Sequence, residues 1–272
     1  MKTTLKKLNQ TLGVMIDLGG FASADLADVA RLVEDCGYSC LWTGENLAGR
    51  DPFVTAARLL SLTTSLTVGI SVANIWKREP LTMINAARAL SEFYEGRFLL
   101  GVGVSHQWLL NRYQLPSGKP LTAMRNYLAK MKSALYIDPA PAVQPPVLVG
   151  ALLPKMVKLA ATETEGVFLN LGVPTHTART RQLIGRISGW GCAVTSSGRK
   201  TASRRMLPYG STSRHTHDSR ITAPTSGVSD TLTRISKITA ATGFSMTRSP
   251  GATKAFCNAS RVITMRGPIM WP

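Results

Sequence analysis

Four short stretches of this chain place residues capable of chemistry directly after apolar runs. They are Thr43-Gly44-Glu45-Asn46, Ser71-Val72-Ala73-Asn74, Gly103-Val104-Ser105-His106 and Gly150-Ala151. Together they offer one carboxylate, one imidazole, hydroxyls, amides and small residues, and no lysine. That set suits a flat ligand held by hydrogen bonds better than a bare phosphate. His106 could act as acid or base, because imidazole as a class titrates at about 6.5. Gly101-x-Gly103 is no dinucleotide fingerprint, since the third glycine and the helix that should follow are missing. No Walker-type loop occurs either.

Each candidate has a structural alternative. His106 could cap a helix or bond a carbonyl. Glu45 could form an ordinary ion pair with Arg50 or Arg78. Trp42 and Trp76 read as core or rim aromatics, and Lys77-Arg78 as a solvated loop pair, though its place could meet an acidic cofactor tail. Cys36 and Cys40 have no second pair to complete a zinc site. His215-x-His217 has only Asp218 beside it, so no metal is expected.

The elements that must position these residues alternate strand and helix. Short apolar runs at 11–16, 39–42, 66–72, 97–104, 146–150 and 166–171 predict buried strands. Between them lie helical patterns. Ser23 is an expected N-cap and Gly37 an expected C′ residue. Asp51-Pro52 opens a second helix, and Pro80 begins one that closes at Gly96. An amphipathic helix is expected over 120–136, with Leu121, Met124, Leu128, Met131 and Leu135 on one face. Another runs from Pro154 to Glu165. Strands covered by helices in this rhythm mean a parallel sheet in an α/β protein, either doubly wound or most of an eight-fold barrel. Ligands of both folds bind at the strand C-terminal ends, where the four stretches fall.

Composition narrows the class. With 44% apolar and 17% charged residues the chain can build a large core, which excludes disorder throughout. No apolar run reaches the roughly 18 residues of a membrane span. The basic N-terminus leads into no signal-type stretch, so a cytoplasmic protein is expected. Four cysteines are too few for a disulfide scaffold of this size.

Several motifs together resemble one family. Gly37-Tyr38-Ser39-Cys40-Leu41-Trp42-Thr43-Gly44-Glu45 is similar to the second strand of the bacterial luciferase-like superfamily. Val68 to Pro80 and Gly96 to His106 resemble its third and fourth. Lys119-Pro120-Leu121, Arg125-Asn126-Tyr127-Leu128 and Leu148 to Met156 extend the likeness, which covers residues 10–185 and lies nearest the F420-dependent oxidoreductases. The resemblance implies a TIM (β/α)8-type barrel holding coenzyme F420, or alternatively FMN, at its C-terminal mouth. It implies a non-proline cis peptide at Ser71-Val72, bulging against the back of the ring, and hydride transfer between cofactor and a small organic substrate. On this reading His106 and Glu45 are catalytic. Asn46, Ser71, Val72, Val104, Ser105, Gly150 and Ala151 line the cofactor, with the helix opening at Pro154-Lys155 toward its phosphate. Asn46 stands where relatives often carry a histidine. Intact relatives are expected to be homodimers, and no metal or membrane partner is implied.

The net charge of +17 is unevenly spread. Residues 1–171 hold 17 basic and 13 acidic residues, and 172–272 hold 15 and 2. The last glutamate is Glu165. Two regions are therefore expected: a luciferase-like barrel domain over 1–185, and a basic Ser/Thr/Arg-rich segment over 186–272 without helical or strand periodicity. About six βα units are legible, so the barrel is expected to be incomplete. Disorder, or an out-of-frame translation of GC-rich coding DNA beginning at 185–190, accounts for the loss of acids. Two rivals follow: an inactive barrel remnant, and a basic tail binding nucleic acid or an anionic surface. The tail is diffuse and poor in aromatics, which disfavours nucleic acid as a partner.

Overall fold

The computed structural model describes residues 13–19, 21–169, 174–184 and 190–193. Within them strand and helix alternate, except that two helices stand between the fourth and fifth strands. The strands are β1 (Gly13–Met15), β2 (Cys40–Thr43), β3 (Thr67–Asn74), β4 (Phe98–Gly103), β5 (Val147–Gly150), β6 (Gly166–Leu169) and β7 (Trp190–Ala193). The helices are α1 (Asp25–Asp35), α2 (Pro52–Ser61), α3 (Pro80–Phe93), α4 (Gln107–Arg112), α5 (Pro120–Lys132), α6 (Pro154–Glu163) and α7 (Pro174–Ile184). All seven strands are parallel and neighbours in chain order, β1 to β7. Sequential parallel pairing with a helix at each crossover is the architecture of a TIM-type barrel, seven strands of which lie among the described residues.

Helix boundaries follow local chemistry. The Asp51 carboxylate accepts from Phe53 N at 2.8 Å and Val54 N at 3.1 Å, capping α2 ahead of Pro52. Gly37, at φ +77°, turns the chain out of α1. The expected cap at Ser23 is not used: Asp25 Oδ2 accepts from Ala22 N at 3.0 Å, and Ala24 takes the N-cap position. The helix expected to reach residue 136 ends at Lys132, which leaves Leu135 73% exposed instead of on the buried face. Its carbonyl is held by Asn85 Nδ2 at 3.0 Å.

Residues alternate between the faces of the sheet with the period of two. Leu41, Val68, Ile70, Phe98, Leu100, Val102, Val149 and Val167 pack outward among the helices. Cys40, Trp42, Leu99, Leu148 and Phe168 form a separate cluster, with Met15 against it, on the concave face. Trp42 is the centre of that inner layer, fully buried and 5.3 Å from the Phe168 ring. Gly69 makes this possible, because a Cβ there would run into the indole.

β7 falls in the segment 186–272, where no strand periodicity is legible, and adds a strand to the six expected. It pairs along β6 from Gly166↔Trp190 to Leu169↔Ala193. Trp190-Gly191-Cys192-Ala193 is too short, and carries too few branched apolar residues, to signal a strand by pattern alone. The rest of the basic segment, including His215 and His217, lies outside the described residues.

Candidate functional site

The C-terminal ends of β2 to β5 converge on one surface. At its centre β3 departs from regular geometry. Ile70 pairs with Leu100 and Ala73 with Val102, so β3 carries one residue more than β4 over this interval. The extra length falls at Ser71-Val72, whose peptide bond is cis, as the family resemblance implied. Val72 lies over the neighbouring strands, and their glycines receive it. A Cβ on Gly103 would overlap Val72 Cγ2, and one on Gly150 would stand 3.0 Å from Val72 Cγ1. A Cβ on Gly101 would strike the Ile70 carbonyl. The Gly101-x-Gly103 pair, uninformative as a nucleotide motif, is thus the seat of the bulge. Its spacing of two, which keeps both residues on one face, is the signal that could have been read.

Two polar groups at this strand end have no hydrogen-bond partner in the described structure: Ser71 Oγ and Asn74 Nδ2. Their residues are 7% and 4% exposed. Buried polar groups are normally satisfied, so such atoms mark a place where a ligand could complete the bonding.

Glu45 is bound on both oxygens. Oε2 accepts from Asn74 N at 2.6 Å, and Oε1 pairs with Lys77 Nζ at 2.8 Å. Lys77 Nζ also reaches Leu47 O at 3.3 Å. The ion pair expected with Arg50 or Arg78 therefore forms with Lys77. Arg50 instead donates to Leu18 O and Phe21 O at 2.9 and 2.6 Å. Arg78 bonds Asp51 and lies 4.6 Å from the centre of the Phe53 ring. Lys77 is exposed and Arg78 half-buried, and each holds a carboxylate. They line, with Glu45, Asp51, Glu79 and Thr82, a cleft of about 330 Å³.

Further bonds hold the loop after β3 in place. Trp76 Nε1 donates to Val104 O at 2.9 Å, and the Tyr127 hydroxyl donates to Arg78 O at 2.6 Å. Burial, reinforced by the Glu79 charge, pushes the Tyr127 phenol well above its ordinary range, so it remains a donor. Trp76 and Tyr127 were not among the expected site residues, and Asn74 and Lys77 were named only as part of a strand end and a loop pair. Their roles depend on partners about 28 to 49 positions away in sequence, which spacing does not reveal.

After β4, Val104 is half-buried and Ser105 adopts φ +60°. His106 follows as the N-cap of α4; its carbonyl accepts from Leu109 N and Leu110 N, while its exposed side chain makes no cap bond. Asn46 is exposed, with Oδ1 accepting from Ala48 N at 3.2 Å. Gly150 supports Val72, and Ala151 N donates to Phe168 O at 3.1 Å, extending the sheet. His176 Nε2 lies 2.9 Å from Leu152 O and ties α7 to the loop after β5.

Comparison with known proteins places this geometry. The family model for luciferase-like monooxygenases matches residues 8–188. A 5,10-methylenetetrahydromethanopterin reductase of Methanolobus tindarius is 28% identical over 165 residues, covering 55% of this chain and 51% of that protein. The reductase of Archaeoglobus fulgidus is 25% identical over 169 residues, 55% of this chain and 50% of the other. The chain thus spans about half the length of the curated relatives it matches. Among solved structures, an F420-dependent secondary alcohol dehydrogenase in complex with an F420-acetone adduct aligns with a TM-score of 0.60 at 13% identity, covering 68% of each chain. The coenzyme F420-dependent tetrahydromethanopterin reductase of Methanopyrus kandleri aligns at 0.55 and 17% identity, over 64% of this chain and 60% of that one. A riboflavin lyase with modified FMN aligns at 0.55 and 14% identity, over 68% and 62%.

Proposed function

Because the chain belongs to the luciferase-like monooxygenase family, we propose that it is built for hydride transfer between a bound deazaflavin or flavin, coenzyme F420 or FMN, and an organic substrate. The observation that carries this reading is the β3 terminus: Val72 seated against Gly103 and Gly150, beside a buried Ser71 hydroxyl without a partner. This arrangement fits a planar ring, since a raised apolar side chain backs one face and an unpaired polar atom stands next to it.

When bound, the cofactor supplies a carbon or nitrogen centre that gives or accepts hydride. The protein supplies placement. Val72 would back the ring, and the Ser71 hydroxyl would bond it. Ser105 and Asn46 would flank the ligand from the ends of the neighbouring strands. The first turn of α6, with Lys155, would take a phosphate through backbone N–H groups and positive charge. The ordered loop of Asn74 to Arg78 supports the strand end from outside.

His106 is the residue that moves a proton, at an imidazole nitrogen left free by the helix cap. Glu45 has both carboxylate oxygens engaged by Asn74 N and Lys77. Its part in the reaction is to hold the end of β3, so of the two expected catalytic groups His106 carries the acid–base role.

Fluorescence titration of the full chain with F420 and with FMN tests the reading. Saturable quenching by one of them at one equivalent per chain, weakened at least tenfold by Val72→Asp, is expected. No binding of either cofactor would favour a remnant without cofactor.

A further inference from the structure

We infer that Trp76 is a positioning residue for His106: its indole N–H holds the turn that sets where the imidazole stands. The inference rests on the acid–base role given to His106 above, and names what keeps that group in place.

Backbone pairing between β3 and β4 ends at Ile75, whose N–H donates to Gly103 O at 3.1 Å. The next carbonyl along, Val104 O, is taken by a side chain instead. Trp76 Nε1 donates to it at 2.9 Å. An indole suits this task, because its N–H sits on a rigid body with two side-chain torsions. The ring is itself fixed at both ends. Trp76 N donates to Asn74 Oδ1 at 2.9 Å, and Asn74 N donates to Glu45 Oε2 at 2.6 Å, so the indole leaves a backbone anchored to the loop after β2. Its far edge, at Cη2, lies 3.4 Å from the place that a Cβ on Gly118 would take. Trp76 thus touches the segment between β4 and α5 where it leaves the sheet, at Val104, and where it returns, just ahead of Pro120.

His106 depends on that hold because little else fixes it. Ser105 alone separates it from Val104, and Ser105 has φ +60°, a left-handed conformation that residues with a Cβ adopt sparingly. The His106 carbonyl accepts from Leu109 N at 3.0 Å and Leu110 N at 3.1 Å, but its exposed imidazole makes no cap bond. The helix that follows, α4, has six residues and buries Leu110 alone. So short a helix with one buried side chain is weakly anchored by itself. Val104 O is therefore the last fixed point before the imidazole. Removing its donor would let Ser105 relax and carry His106 with it. An acid or base must stand within hydrogen-bond reach of the atom it serves, so such a shift affects proton transfer more than cofactor binding.

Proton NMR of the imidazole C–H signals of the full chain, free and with saturating F420 or FMN, tests this. His106→Gln identifies the His106 signal by its loss, and cofactor is expected to shift that signal in the unaltered chain. Trp76→Phe keeps an aromatic ring and removes the N–H. It should bind cofactor within about threefold of the unaltered chain, since the indole lies outside the proposed cofactor site. It should also displace the His106 signal of the free chain, and lose about half or more of the cofactor-induced shift. Amide exchange over 104–108 should quicken about fivefold or more in the free chain, the scale of one lost hydrogen bond, with 26–35 unchanged. Ser91→Ala removes a donor to Val143 O at the opposite end of the sheet and controls for general loss of stability. It should change neither readout. Should Trp76→Phe fail to fold, benzothienylalanine in place of Trp76, with sulfur for N–H in the same ring outline, gives the same comparison. A His106 signal and 104–108 exchange both unaltered by loss of the N–H would overturn the inference, as would equal changes in Ser91→Ala. A displaced signal and faster exchange in a chain that binds neither F420 nor FMN would uphold it and defeat the cofactor reading.

Discussion

Val72 and Gly103 fit as knob and socket: the space that a β-carbon on Gly103 would need is filled by Cγ2 of Val72. Because valine is branched at Cβ and stiff at χ1, it cannot swing aside as a long side chain would. Gly103→Ala is therefore expected to destabilise the protein by about 1–3 kcal/mol, the usual cost of overpacking. Val72→Ala added to it should recover at least half of that loss. Urea denaturation of the two single variants and the double variant measures the coupling. Additive effects would mean that the two residues do not share this space.

Glu45 makes a second prediction, because its two oxygens serve different partners. Glu45→Gln keeps an acceptor for Asn74 N but loses the charge facing Lys77. Glu45→Ala loses both and leaves a buried N–H unpaired. The alanine variant should lose about 1–3 kcal/mol of stability and most cofactor affinity. The glutamine variant should retain cofactor affinity within about threefold, set by the smaller contribution of a partly exposed ion pair. Equal damage from both substitutions would argue that the charge itself is needed in the reaction.

Glu34 gives a pH dependence far from the site. Burial raises its pKa, but hydrogen bonds from Ser65, Leu66 and Thr64 outweigh this and leave it below the ordinary carboxylate value. A carboxyl depressed in the folded state contributes stability at pH above its unfolded pKa. That contribution is lost as pH falls through the lower, folded value. The unfolding free energy of the intact chain should thus fall between about pH 5 and pH 3. Glu34→Gln should be less stable at pH 7 and show a shallower fall. Identical acid limbs for the two proteins would remove Glu34 as a cause.

The basic segment yields a test at the level of the gene. Out-of-frame translation beyond residues 185–190 implies that another reading frame there encodes the ordinary acid content and further alternating strands and helices. Translation of the other two frames is expected to reveal them. Frames without strand and helix periodicity would leave the segment a genuine basic tail.

Much of the frame was legible because its signals are local. Asp51-Pro52 starts a helix through its own cap, Gly37 supplies a positive φ, and the apolar runs from 39 to 169 are strands buried on both faces. The strand ends carrying Ser71, Val72 and His106 followed from the parallel topology. Pairings between distant loops were not legible. Lys77 in place of Arg50 or Arg78 as the partner of Glu45, Trp76 bound to Val104 O, and Asp25 displacing Ser23 as the start of α1 all depend on three-dimensional placement. β7 was hidden for a different reason. Its pairing with β6 is set by backbone hydrogen bonds, while Trp190-Gly191-Cys192-Ala193 has little strand propensity of its own.

The central claim is that the end of β3, with its neighbours on β4 and β5, holds the cofactor. Amide hydrogen exchange of the full chain with and without saturating F420 or FMN measures this most directly. Slower exchange is expected in peptides spanning 71–76, 103–108 and 150–156, with 26–35 and 124–132 unchanged. Protection confined to other segments, or no protection under conditions where the cofactor is bound, would contradict the account.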